Sequence, residues 1–196
     1  MKKIITISRE FGSGGRSIGK AVAERLGYDY FDKEIIEKLA GESGLSRDYI
    51  ERHGEHSPGK NRFSYAFVGR SRNGGSVEDY LWSKQRELIL RMADKGQCVI
   101  VGRCADYILR DREDCLNVFI HADTKVRADR IVNLYGETDL KPEKRLMEKD
   151  RTRRLNYKYY TDRDWGMSQN YHISLDSGVI GIRRCEDMII ALAKEV

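Results

Sequence analysis

The chain has 196 residues, 40% hydrophobic and 34% charged, with only two prolines, a balance that builds one globular domain and excludes a disordered or low-complexity polymer. Its net charge of +5 suits an anionic partner, either phosphate ligands or nucleic acid. No stretch approaches the roughly 20 apolar residues of a membrane span, the apolar run after Met1 is too short for a secretion signal, and the cysteines lack Cys-x-x-Cys spacing, so a cytoplasmic protein with reduced thiols is expected.

Lys3 to Ser8 (KIITIS) reads as a buried strand, followed by the loop SREFGSGGRS at residues 8 to 17. Ile18, Ala21, Val22 and Leu26 then mark one face of a helix, Tyr28 to Phe31 a short second strand, and Ile35, Ile36 and Leu39 another helix. Residues 53–76 break this rhythm with turn formers, basic residues and aromatics, and are expected to form a flap or a partly disordered insertion. Leu81, Gln85, Leu88, Ile89 and Met92 trace a longer helix ending at Gly96. Two strands follow, Cys98 to Val101 and Leu116 to His121, and then a helix with Val126, Ile131 and Leu134 inward. A second irregular zone, 136–166, holds the basic helix EKRLMEKDRTRRLNYKYY. Tyr171 to Leu175 is the last strand, and a final helix from near Gly181 turns Ile182, Cys185, Ile189 and Leu192 inward. Short β-branched runs alternating with helical segments predict an α/β fold with a parallel sheet buried on both faces. The four cysteines, Cys98, Cys104, Cys115 and Cys185, are expected mostly in the core, and the four histidines have no metal-ligand spacing.

A strand, a glycine-rich turn, Arg16-Ser17 and an amphipathic helix have the layout of a phosphate cradle. Backbone N–H groups in a loop free of bulk can converge on one anion, and the helix adds its positive end. Gly12, Gly14 and Gly15 supply that freedom, Arg16 a charge for the β and γ phosphates, and Ser17 a hydroxyl for Mg2+. The usual Gly-x4-Gly-Lys-Ser/Thr spacing is broken twice, by Glu10 at the first glycine and Arg16 at the lysine. From the loop alone, a plain glycine-rich βα connection remains the alternative.

Six stretches resemble the cytidylate kinase-like family of P-loop nucleoside monophosphate kinases over almost the whole chain. They are ISREFGSGGRSIGKAVAERLG, YFDKEIIEKLA, VIVGRCADYIL, NVFIHADTKVRADRI, EKDRTRRLNYKYYTDRDW and YHISLDS. The resemblance implies a three-layer P-loop kinase fold: a five-stranded parallel sheet with helices on both faces, a lid at 136–166 and an acceptor-side insertion at 53–76, all in one domain spanning residues 1–196. It implies that Gly12, Ser13, Gly14, Gly15, Arg16 and Ser17 hold the phosphates of ATP, with Mg2+ at Ser17, and that Asp32 and Arg103 contact the acceptor. Arg130 is implied near the adenine and Arg153, in an Asp-x-x-Arg segment with Asp150, at the transferring phosphoryl group. Cys104 stands where the family's Gly-Arg-Asp segment has its aspartate, and a thiol is a poor acceptor for an amino group.

Each residue also has a plain structural reading. Asp32 can cap a helix beginning at Lys33, Arg127 and Arg130 can be solvated charges at i,i+3, and Asp150 can pair with Arg154 at i,i+4. Asp150, Arg153, Arg154 and Tyr157 share one helical face suited to closing over a cleft. Tyr157, Tyr159 and Tyr160 among basic residues also fit stacking platforms for nucleic acid. Arginines outnumber acid/base candidates, as phosphoryl transfer requires, since its demands are alignment and positive charge; Arg16, Arg130 and Arg153 are the expected catalytic residues, with Arg103 beside them at the acceptor. The expected activity is ATP-dependent phosphorylation of a nucleoside monophosphate, CMP-like, with nucleotides as the partners. The alternatives are a kinase for another small metabolite, or a nucleotide- or nucleic-acid-binding module without turnover.

Overall fold

Five strands, β1 (Ile4–Arg9), β2 (Asp29–Phe31), β3 (Cys98–Val101), β4 (Cys115–His121) and β5 (Ile173–Asp176), form one sheet in the order β2-β3-β1-β4-β5. Every pairing in it is parallel. The computed structural model describes residues 1–53 and 77–195; the insertion expected at 53–76 therefore lies, from Gly54 on, outside the described residues.

A parallel sheet covered on both faces needs apolar side chains of both parities, and the strand runs supply them. Ile4, Cys98 and Ile100 point to one side, against α2 (Glu34–Ser43), α3 (Arg47–His53) and α4 (Val77–Lys95), where Leu39, Ile50, Leu88 and Ile89 complete the layer. Ile5, Ile7, Val99, Val101, Val118 and Ile120 point to the other, against Ile18 and Val22 of α1 (Gly15–Leu26) and Cys185 and Ile189 of α8 (Ile182–Glu195). All four cysteines are buried and unbridged.

Three helical expectations change. The short helices α3 and α5 (Ala105–Ile108) leave no periodic stripe long enough to read. In α6 (Thr124–Tyr135) Ile131 is fully buried, but Leu134 is 65% exposed: the helix buries Ala128 and Ile131 in a small cluster with Leu146, while Leu134 and Tyr135 in its last turn face an open cleft. The zone 136–166 is mostly a single helix, α7 (Pro142–Thr161), with Pro142 at its first position. It shows no apolar stripe because the side chains it buries include Asp150, Asn156 and Thr161.

The chain leaves β1 on one side for β2 and returns to the other side through β4, so β1 flanks the reversal of strand order. Open α/β sheets bind ligands beyond the strand C-termini at such a point. The loops after β1 and β3 meet there.

Candidate functional site

The loop after β1 enters α1 at Gly14, whose φ of 85° caps the helix without any side-chain bond. The N–H groups of Gly15, Arg16 and Ser17 open the helix and have no intrahelical acceptor, the arrangement that receives anions. Beneath the loop lies Arg9, a buried arginine at the end of β1. A Cβ on Gly15 would sit 2.5 Å from the Cβ of Arg9, and one on Gly102 would fall on the Arg9 guanidinium. Glycine at both positions therefore makes the seat for a cation between the two loops.

Above this seat opens a cleft of about 490 Å3, within the size range of small-molecule sites. Gly12, Gly14, Gly15, Arg16, Ser17, Asp32, Arg103 and Arg153 all line it, so eight of the ten residues singled out in sequence converge on one space. Six cationic side chains (Arg9, Arg16, Lys33, Arg103, Lys149, Arg153) face two acidic ones (Glu10, Asp32), which gives the cleft a positive field. Arg16 and Asp32 join across it at 2.7 Å, and Arg9 lies 3.8 Å from the same carboxylate. Burial works against the Arg16 charge, but the adjoining Asp32 outweighs it and holds the guanidinium above its ordinary range. Nearby, burial and then the Asp32 charge push the Tyr30 phenol up to about 12. Asp32 is not a helix cap: α2 starts at Glu34, its cap residue is Lys33, and no side chain caps it.

The other two singled-out residues stand behind the loop. Ser13 is fully buried, and its carbonyl accepts from Arg130 Nη1 (3.0 Å) and from Ser177 Oγ (2.5 Å). Arg130 also donates to Ser177 Oγ at 2.8 Å and to the Ser177 carbonyl at 2.9 Å. It thus braces the loop against the turn after β5 and is not a solvated charge.

Asp150 ties α7 to the front of the same loop. Its carboxylate accepts from Phe11 N at 2.8 Å, from Arg127 Nη1 at 2.6 Å and from Arg153 Nη1 at 3.4 Å. The alternative pairing with Arg154 does not form, because Asp150 faces inward while Arg154 is exposed and lies over Trp165. Arg127 completes the brace through the Phe11 carbonyl at 3.2 Å and Glu10 at 3.3 Å, and Arg153 Nη1 donates to the Arg9 carbonyl at 3.1 Å. The tyrosines that resembled a nucleic-acid surface are largely spent inside: Tyr157 bonds Asp106, Tyr160 stacks on Trp82 at 4.3 Å, and only Tyr159 is exposed.

The far end of the cleft is set by the turn after β3. Gly102, Arg103 and Cys104 have φ of 76°, 59° and 53°, three left-handed residues in a row. Two of them carry side chains, a conformation that costs on the order of 1–3 kcal/mol each and collects at functional sites. Gln85 of α4 anchors the turn by donating to the Arg103 carbonyl at 3.1 Å. Below it a chamber of about 30 Å3 is lined by Arg9, Arg103, Cys104, Arg153, Asn156 and Tyr157, among others. Arg103 Nη1, Arg153 Nε and Asn156 Oδ1 are buried there without a hydrogen-bond partner among the described residues. At the chamber's edge Asp106 accepts from Tyr157 at 2.6 Å and from Ser8 at 3.1 Å, and burial raises its carboxyl above the ordinary range against those bonds.

The cytidylate kinase-like family matches residues 4–179 of the chain. The chain belongs to that family. Among curated proteins, it is 29% identical over 161 residues to the cytidylate kinase of Archaeoglobus fulgidus, covering 80% of this chain and 76% of that one. It is 26% identical over 189 residues to the cytidylate kinase of Aeropyrum pernix, covering 96% and 97%. Among solved structures, an uncharacterized protein from Eubacterium ventriosum superposes with a TM-score of 0.75 at 24% identity, each chain covered in full at 100%. Shikimate kinase from Acinetobacter baumannii in complex with shikimate gives 0.56 at 13% identity, covering 100% and 96%. The fold is that of the P-loop kinases.

Within this cytidylate kinase-like chain, sequence reasoning passed over Arg9, Glu10, Asp106 and Asn156 as site residues. A charged residue ending an apolar strand just before a glycine loop was the available signal for Arg9. Asn156 had none, being one polar residue in a polar helix.

Proposed function

We propose that the chain transfers the γ-phosphoryl group of ATP to a nucleoside monophosphate, CMP-like, and that residues 1–196 form one kinase domain. The observation that carries this reading is the cleft itself, where helix-opening amides and six cations from several elements converge on one nucleotide-sized space. Transfer between two phosphates needs alignment and positive charge, and no nucleophilic side chain.

The donor phosphates lie on the amides of Gly12 to Ser17, with Arg16 and Arg153 balancing the charge that spreads in the transition state. Arg130 fixes the loop from behind, through Ser13. The acceptor lies toward Asp32 and Arg103. Mg2+ fits here only as a companion of the nucleotide: among the described residues no group of three or more His, Cys, Asp or Glu side chains could hold a metal. A largely hydrated ion needs little more than one protein oxygen, and Ser17, which lines the cleft, would offer it. When bound, it neutralises phosphate charge. No helix among the described residues is long and apolar enough to cross a membrane, and we assign a cytoplasmic location on the four unbridged thiols.

A coupled assay of ADP release with Mg-ATP and a panel of CMP, UMP, AMP, GMP, shikimate and gluconate tests the proposal. Release that depends on CMP or UMP is expected. Release only with a non-nucleotide acceptor, or ATP binding with no acceptor-dependent release at all, refutes it.

A further inference from the structure

We propose that Asn156, held by Cys104 and working beside Arg103, reads the acceptor base by accepting a hydrogen bond from its exocyclic amino group. This rests on the reading of the chain as a pyrimidine nucleoside monophosphate kinase. The chamber under the β3 turn, at about 30 Å3, holds one water-sized group and no ring. It shares Arg9, Arg103 and Arg153 with the large cleft, so a base lying in the cleft can send only a substituent into it.

The unpaired atoms define that substituent. Asn156 is 5% exposed and Arg103 8%. The Oδ1 of Asn156 calls for a donor, while Nη1 of Arg103 calls for an acceptor. A buried polar atom without a partner is costly, and a ligand that satisfies it is selected over one that does not. A 4-aminopyrimidine offers the matching edge, with its amino N–H beside the ring N3 acceptor. A 4-oxopyrimidine puts an oxygen against Oδ1. Turning the amide to suit that oxygen would break the contact of Asn156 Nδ2 with Cys104 Sγ at 3.8 Å. Cys104, a weak acceptor in its own right, thereby acts as a positioning residue: it orients the amide that supplies the oxygen.

The test is kcat/KM for CMP and for UMP in the purified full chain, its Asn156→Ala variant and its Asn156→Asp variant, with thermal melts alongside. The wild type is expected to favour CMP by at least about tenfold, as one buried hydrogen bond allows. Asn156→Ala should bring the ratio to within about threefold of unity, and Asn156→Asp, which keeps an acceptor oxygen, should retain the preference. A merely structural role lowers both substrates together and leaves the ratio standing; that result in Asn156→Ala overturns the inference, as does loss of the preference in Asn156→Asp or a wild type that treats the two alike. A wild type that turns over neither nucleotide, whether or not it uses another acceptor, overturns the pyrimidine nucleoside monophosphate assignment beneath it, a separate outcome.

Discussion

Replacing Asp150 by alanine tests whether α7 holds the glycine-rich loop in shape. The Asp150 side chain is 4% exposed, and its carboxylate accepts from the Phe11 N–H and Arg127 at 2.8 and 2.6 Å. Its removal leaves the Phe11 N–H without that acceptor, and leaves Arg127, whose side chain is 9% exposed, with Glu10 at 3.3 Å as its carboxylate partner. Breaking a buried ion pair from one side costs about 3–5 kcal/mol. Because Glu10 stays in place, the lower end applies, roughly 3 kcal/mol, which for a chain of this length is a fall in Tm of about 6–12 °C. Asp150→Asn, keeping one acceptor oxygen, should lose about half as much. Urea and thermal unfolding measure this, and calorimetric titration with ATP measures the loop. ATP affinity should fall in both variants. The double change Arg127→Met with Asp150→Leu, which removes both charges, should regain most of the stability but not the affinity. A loss in Asp150→Ala below about 1 kcal/mol, or an unchanged Kd for ATP, would refute the bracing argument.

Three further outcomes follow from the same geometry. Gly102→Ala puts a side chain at a φ of 76° and onto the Arg9 guanidinium; a stability loss of about 1–2 kcal/mol should accompany a fall in kcat/KM of more than about tenfold, and unchanged kinetics would remove Arg9 from the site. Arg16→Ala breaks an ion pair in which the arginine is 43% exposed, so unfolding should shift by less than about 1 kcal/mol while ATP binding weakens clearly; a variant that binds ATP as tightly as the wild type contradicts the donor assignment. Asp106 has its folded pKa raised by burial, so its contribution is fully present below the ordinary value of 3.8 and is lost as pH rises through the folded value. The stability of Asp106→Asn relative to wild type should therefore improve as pH rises above that range, and a difference independent of pH in parallel melts rejects the linkage.

Much of the frame was legible before any coordinates. All five strands stand at or within a residue or two of the expected runs, since β-branched stretches bounded by turn formers have few other uses. The glycine loop and the Arg103 turn were legible because glycines and arginines past a strand end are unusual there. The functions of Asp150 and Arg130 as braces were not: both lie on helices whose sequence offers several equivalent partners, and i,i+3 or i,i+4 spacing favours the local one. Burial chose the distant partners, Arg127 and Phe11 for Asp150, and Ser13 and Ser177 for Arg130.

Sequence alone determined the alternation of strand and helix, the two-sided sheet and the glycine-rich loop that opens the first helix, because each depends on local periodicity and on the backbone freedom of a few glycines. Only the tertiary structure decided which charges meet. Arg9 lies under two glycines nearly ninety residues apart, Asp32 crosses to Arg16, and Asn156 reaches Cys104 from another helix. Electrostatic and hydrogen-bond partners are chosen by distance in space and by exclusion of water, and the order of residues along a chain encodes neither until the chain has folded.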